Sequence, residues 1–382
     1  MRPDPLKVLF VLTDVNGGGA EKVILTVSRY LDRERFDPSL FLLRRDGVWW
    51  DEIANDTRVQ FGWSGAGPIR YRSLGVLRKL LAAAADSDLV VGTLEMLPSY
   101  FAYLAGALLR KPVIAWVHSD LARQLSIYHS AAIHRCLIRR IYPRFEKIVF
   151  PSYGASASFQ RLATVADGKS EVIYNPLDNR LVQSKAGESL PDWARTVFRK
   201  PVIIAVGALT IVPKGFDVLI QAHAELVAGG VDHNLLIVGE GPDRQALEKL
   251  VLDLGVSGSV FLPGFQPNPY PFVKLACALV VPSRFEAFGM VVLEAMALGV
   301  PVVTLLSATG PVEILDRGAY GLCVSSEDPA ALVSAIRALL ADPLLRDRYS
   351  RLGNQRAEFF QPQQIVPQWE KLLWRTAQGG SR

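Results

Sequence analysis

The chain has 382 residues, half of them hydrophobic, 21% charged and 9% aromatic, with a formal net charge of +5. That length is more than one ordinary core needs, so two domains are expected, and the balance is that of a soluble globular protein. Three scattered cysteines, Cys136, Cys277 and Cys323, sit in apolar surroundings with no paired spacing, which excludes a zinc or disulfide scaffold and reads as buried thiols in a reducing compartment. The charge is uneven. Residues 1–180 carry 24 Lys+Arg against 18 Asp+Glu, and the remainder 18 against 19. The excess gathers in Arg110 to Lys147, either a patch that attracts phosphates or the solvated face of a helix.

At the N-terminus the apolar run VLFVL is too short for a signal peptide and leads into glycines. The longest weakly polar stretch, Leu97 to Leu109, has 13 residues, where a bilayer needs about 20. A cytoplasmic protein without a spanning helix is expected. Along the chain, KVLFVL, DLVVGT, PVIAWVH and KIVFPS predict buried strands in the first half. PVIIAVG, NLLIVGEG, SVFLPGF, ALVVPS and PVVTLL predict them in the second. Helix-period segments such as Ala20 to Leu31 and Arg244 to Gly255 lie between. Strands alternating with helices predict parallel sheets and two doubly wound α/β domains. The boundary falls near Glu171 to Asn179, where Asn175-Pro176 stops a strand. A polar stretch of low order, QSKAGESLPDWARTVFRK, follows, and a Trp-rich helix, QWEKLLWRTA, ends the chain.

Sites in open α/β sheets lie at the carboxyl ends of the strands. After the first strand, Gly17, Gly18 and Gly19 open a helix, which suits either an anion at a helix N-terminus or a plain tight turn. After PVIAWV comes His118, a candidate base, acid or sugar ligand as well as a candidate structural histidine. Lys214 and Gly215 precede another helix, a pairing of cation and helix N-terminus that suits a diphosphate or a plain exposed helix start. Gly241 lies in the turn GEGPD, and Gly264-Phe265 follow SVFLP. Glu286 and Glu294 flank the start of an apolar helix after ALVVPS, with Phe288, Gly289 and Met290 at its N-terminus. A carboxylate buried there needs a partner, and sugar hydroxyls offer several. No Asp-x-Asp or His/carboxylate cluster that would suit a metal lies at the carboxyl end of a predicted strand.

This ordered set resembles glycosyltransferase family 4, retaining enzymes with the GT-B fold. The Glu286-AFGMVVL-Glu294 segment is similar to the family's Glu-x7-Glu motif. GGGAE at 17–21, His118, NP at 175–176, KGFDVLIQA from Lys214, LIVGEGP from Leu236 and GPVEIL at 310–315 support the likeness. The resemblance implies an α/β GT-B protein of two Rossmann-like doubly wound domains facing across a cleft. Residues 1–178 would bind acceptor and 179–362 the nucleotide sugar, with a C-terminal helix at 363–382 returning to the first domain. It implies that Glu294 holds the ribose, that Glu286 touches the donor sugar with the Phe288 and Gly289 amides, and that Lys214 neutralises the diphosphate. Gly17–Gly19 would close over phosphates or acceptor, Gly264-Phe265 would line the base, and His118 would contact the transferring centre. The partners implied are a nucleotide sugar, a UDP-sugar foremost, and a glycan or lipid-linked acceptor, with no nucleic acid, no metal and no cofactor. Residues 123–145, basic and amphipathic, suggest an anionic membrane surface as a further partner. One departure stands out: many relatives carry an arginine where this chain has Ala208, and Arg284 is one candidate to replace it. A nucleotide-sugar-binding protein without transfer and a sugar-nucleotide epimerase are the rival readings. Donor turnover separates the first and product identity the second. A dehydrogenase fails for want of G-x-G-x-x-G.

Overall fold

A computed structural model describes residues 4–16, 18–65, 72–127, 130–325 and 329–379. The chain divides into two compact units, one made of the residues up to Pro176 together with those from Pro362 onward, the other of Leu177–Gln361.

The first unit is built on a parallel seven-stranded sheet in the order β3-β2-β1-β4-β5-β6-β7. Its strands are β1 (Leu6–Leu12), β2 (Phe36–Arg44), β3 (Arg58–Trp63), β4 (Leu89–Gly92), β5 (Val113–Trp116), β6 (Lys147–Phe150) and β7 (Ser170–Val172). β1 is a near-continuous apolar run, LKVLFVL, because helices cover both faces of a parallel sheet. Helix Gly19–Tyr30 follows β1, and helix Pro362–Gly379 packs against it. That last helix contributes Trp369, fully buried with its ring 4.1 Å from that of Trp116. Arg375 pairs with Glu171 at 3.2 Å.

The second unit has a parallel six-stranded sheet in the order β10-β9-β8-β11-β12-β13. The strands are β8 (Val202–Val206), β9 (Asn234–Val238), β10 (Val260–Gly264), β11 (Ala278–Val281), β12 (Val302–Leu305) and β13 (Leu322–Val324). Leu219, Ile220, Leu235, Ile237, Leu247 and Ile336 pack its core against the sheet. This 3-2-1-4-5-6 order is the doubly wound arrangement, with a switch point between β8 and β11.

Several details depart from the sequence expectations. β2, β3 and β13 were not among the expected strands. β2 contains Pro38, β3 alternates, and β13 is only three half-buried residues, so none presents a long apolar run. The polar stretch after Asn179 is ordered as helices Asn179–Lys185 and Asp192–Val197, the first capped by Asp178 Oδ1 accepting from Leu181 N at 3.0 Å. The cysteines are not buried thiols: Cys136 is exposed, and Cys277 and Cys323 are half-buried. Burial still pushes the Cys323 thiol up to about 11.

Candidate functional site

The carboxyl ends of β8 and β11 bring together two loops of the second unit. Gly215 has φ 66°, and a Cβ there would overlap the Pro282 carbonyl oxygen. Only glycine allows the Lys214-Gly215 turn to sit that close to the end of β11. Arg284 laces the same loops. Its two terminal nitrogens donate to Asp217 Oδ1 and Oδ2 at 2.9 and 2.8 Å, and one also donates to the Ile211 carbonyl at 2.8 Å. The bidentate fork fixes both loops in register.

Held this way, Lys214 Nζ lies 2.5 Å from Glu286 Oε2, with the side chains 27% and 20% exposed. The family resemblance implies that these residues meet neighbouring parts of one ligand, and the structure places them in direct contact. Each charge is partly desolvated and neutralised by the other. An incoming anion competes with Glu286 for Lys214, and an incoming hydroxyl competes with Lys214 for Glu286.

Glu294 lies inside helix Met290–Ala297 and is 9% exposed. Its Oε1 accepts a hydrogen bond from Tyr270 Oη at 2.9 Å. Gly289 caps the helix with φ 89°, a value that positions the turn and that side chains rarely adopt. Phe288 is buried and meets Phe360 edge-on at 6.0 Å, so it offers a ligand main chain rather than ring. Met290 is half-buried. The turn is backed by Gly310, whose N–H donates to the Glu286 carbonyl at 3.1 Å and where a Cβ would overlap the Ala287–Phe288 backbone. Gly241 lies in the loop after β9, Gly264 is the last residue of β10, and Phe265 is 47% exposed. Ala208 is exposed after β8. Arg284, one candidate to replace an arginine at 208, pairs with Asp217, and its fork holds the two loops together.

In the first unit the order reverses between β1 and β4. Gly17 lies outside the described residues. Gly18 caps helix Gly19–Tyr30 without a side-chain hydrogen bond, and the Glu21 carboxylate folds over it. Burial holds the Glu21 carboxyl above the usual range, and Asp14 and Glu95 add to the effect. The helix N-terminus therefore holds the chain's own carboxylate. His118 follows β5, and its main-chain N–H donates to Glu95 Oε2 at 3.1 Å. The imidazole packs tilted against Trp116 at 4.6 Å, and among the described residues neither of its buried ring nitrogens has a hydrogen-bond partner. Burial pushes its pKa down to about 3, so at neutral pH it is an uncharged ring with one donor and one acceptor. Sugar hydroxyls can satisfy both.

Tyr270 and Glu95 carried no local signal in the sequence, and Asp217 lay unremarked inside KGFDVLIQA. Gly310 had one, the GP at 310–311. Among the described residues, no group of three or more His, Cys, Asp or Glu side chains is placed to hold a metal.

Two family models match the chain: Glycosyltransferase Family 4 over residues 17–181 and Glycosyl transferases group 1 over residues 195–356. An N-acetylgalactosaminyltransferase of Campylobacter jejuni, named for N-acetylgalactosamine-N,N'-diacetylbacillosaminyl-diphospho-undecaprenol, is 27% identical over 64% of each chain. The lipopolysaccharide core biosynthesis glycosyltransferase LpsE of Rhizobium meliloti is 38% identical over 41% of this chain and 44% of its own. The chain thus spans less than two thirds of either relative. Among solved structures, Anabaena HepE in complex with UDP-glucose superposes with a TM-score of 0.81 at 19% identity, over 97% of this chain and 100% of that one. Sucrose-phosphate synthase of Thermosynechococcus elongatus gives 0.79 at 20% identity, over 98% and 100%. At such identities the likeness is one of fold, and that fold is GT-B. With both domain models matched in order on two parallel-sheet units, the chain belongs to the family 4 glycosyltransferases.

Proposed function

We propose that the chain is a retaining hexosyltransferase that moves a sugar from a nucleotide-sugar donor to a glycan or lipid-linked glycan in cell-envelope polysaccharide assembly. The observation that carries the reading is the Lys214–Glu286 pair at the β8/β11 switch point, in the same unit as the buried Glu294. In this reading Lys214 leaves Glu286 for the donor diphosphate, and Glu286 turns to the hydroxyls of the donor sugar with the Phe288, Gly289 and Met290 main chain beside it. Glu294 holds the ribose, while Gly241, Gly264 and Phe265 border the nucleotide. As the sugar–phosphate bond breaks, charge grows on the diphosphate. Lys214 and the N-termini of helices Phe216–Ala228 and Met290–Ala297 stabilise it. His118, neutral and with no hydrogen-bond partner for its ring among the described residues, offers its ring nitrogens to sugar hydroxyls at the transferring centre. In this reading the loop that Gly18 and Gly19 belong to closes over the phosphates or the acceptor, and Gly17 lies outside the described residues. HepE was solved with UDP-glucose and the Campylobacter relative is named for a diphospho-undecaprenol-linked sugar, so a UDP-sugar and a lipid-linked glycan are the proposed pair.

The test is a thermal-shift panel of UDP-, GDP- and ADP-sugars, followed by turnover with and without EDTA. One nucleotide sugar should raise the melting temperature, because it binds only the folded chain. Turnover should survive EDTA, since Lys214 and helix N-termini carry the diphosphate. A panel with no shift overturns the donor site. Activity abolished by EDTA and restored by Mn²⁺ or Mg²⁺ overturns the metal-free reading.

The same reading places the enzyme on the inner face of the cytoplasmic membrane. Residues 123–145 are not one helix. Among the described residues they comprise the end of helix Leu121–Gln124, helix Ala131–Ile141 and two short 3-10 turns, with Leu125 buried and Ile133 64% exposed. Arg135, Arg139, Arg140 and Arg144 are exposed. His134 stacks on Tyr100 at 6.2 Å, which sets this basic helix beside Leu97, Leu104 and Leu108, all exposed on one face of helix Leu97–Leu109. Exposed leucines beside arginines suit an anionic lipid surface. No helix of the described residues is long and apolar enough to cross a membrane. Co-sedimentation with phosphatidylglycerol vesicles should rise with anionic lipid, fall with salt and weaken in Ile133→Glu. No binding at low salt overturns the idea.

A further inference from the structure

We propose that Tyr270 is a positioning residue for Glu294 and so sets the enzyme's preference for a ribonucleotide donor. The inference rests on the assignment of Glu294 to the ribose. Glu294 is the one charged side chain in helix Met290–Ala297, whose other residues are apolar and largely buried. A lone carboxylate in such a setting rotates freely about its last bond unless something fixes it. Tyr270 Oη does so, at 2.9 Å from Oε1, and both residues are buried, at 5% and 9% exposure.

Tyr270 is itself held. It opens the short helix Tyr270–Lys274, its N–H donates to Asn268 Oδ1 at 3.2 Å, and Asn268 Nδ2 donates to the Lys185 carbonyl at 2.8 Å. The chain of contacts runs from helix Asn179–Lys185 through Asn268 and Tyr270 to Glu294. A carboxylate has about four acceptor positions. The tyrosine takes one on Oε1 and fixes the carboxylate plane. Among the described residues no hydrogen bond is made to Oε2, which leaves that oxygen for a hydroxyl pair. Preorganising an acceptor lowers the ordering cost when a ligand donates to it. The tyrosine touches no reacting atom in this scheme; it acts through Glu294.

Tyr270→Phe keeps the buried ring and removes the hydroxyl. Calorimetric titration compares the parent and the variant with whichever of UDP, GDP and ADP the parent binds most tightly, and with its 2′-deoxy form. The parent should prefer the ribonucleotide. Tyr270→Phe should weaken the ribonucleoside diphosphate about three- to tenfold, the weight of one hydrogen bond. The 2′-deoxy form, which keeps only the 3′-hydroxyl on Glu294, should lose less, so that the ribose preference shrinks. In turnover the donor KM should rise while kcat holds. A packing defect would weaken both ligands alike. Because the ratio is read on one folded variant, a lower melting temperature does not blur it. Equal ribose preference in parent and variant overturns the positioning role alone. A parent that binds no nucleoside diphosphate overturns the donor site itself, and with it this role.

Discussion

Glu294→Gln is expected to raise the donor KM about 10- to 100-fold with kcat nearly unchanged, and Glu286→Gln to lower kcat by a similar factor with KM nearly unchanged. The two carboxylates differ in what they touch. Glu294, fixed by Tyr270, is assigned to the ribose, which does not react, so its contact is equally strong before and during bond cleavage. Such uniform binding appears in KM. Glu286 is assigned to the sugar, whose charge and shape change as the bond breaks, so its contact can strengthen in the transition state and appear in kcat. Gln keeps the volume in both cases, and Tyr270 can still donate to the amide oxygen at 294, which limits packing damage. The Lys214–Glu286 contact adds a further distinction. Glu286→Gln removes the carboxylate that competes for Lys214. Free nucleoside diphosphate should therefore bind this variant at least as tightly as it binds the parent, and bind Glu294→Gln poorly. Calorimetric titration decides. If both variants bind the diphosphate like the parent and turn over normally, the carboxylates are packing features and the site is elsewhere.

Strands β1, β4, β5, β6 and β8–β12 were legible as apolar runs because both faces of a parallel sheet are covered. β2, β3 and β13 were not, since a proline, an alternating pattern and a three-residue length hide them. Lys214, Glu286 and Glu294 were legible as positions, each being a charge at a strand or helix boundary next to glycine or apolar residues. Their partners were not. Lys214 meets Glu286 across 72 residues, Arg284 meets Asp217 across 67, and Tyr270 meets Glu294 across 24. Such distances are set by the order of strands in the sheet, and no local spacing encodes them. Arg284 shows the consequence. Named from the sequence as one candidate to replace the arginine missing at 208, it is found in the fold with its guanidinium forked onto Asp217.

The second unit should also be acid-labile through two buried histidines outside the site. His233 Nδ1 lies 3.1 Å from the Val231 carbonyl, which only accepts, so neutral His233 carries its proton there and accepts on Nε2. His223 Nδ1, 2.9 Å from that Nε2, therefore donates, and His223 Nε2 accepts from Ser259 Oγ at 2.8 Å. Both rings are nearly inaccessible, at 1% and 2% exposure. Burial, then the charge of His233, pushes His223 down to about 3, and burial also lowers His233 despite Asp232, which pairs with Lys200 at 2.6 Å. Free histidine titrates near 6.5. The unfolded chain thus binds protons that the folded chain refuses, so stability is full above about pH 6.5 and is lost as pH falls from there toward 3. Each refused proton costs about 1.4 kcal/mol per pH unit in that window. Urea unfolding of the parent between pH 7.5 and 5 should show a falling midpoint. His223→Gln, which keeps a donor and an acceptor, should flatten the slope by about one proton. His118, buried in the first unit and also held near 3, stays in both proteins, so the difference between the two slopes belongs to His223. Equal slopes in parent and variant would mean that the acid sensitivity comes from other groups.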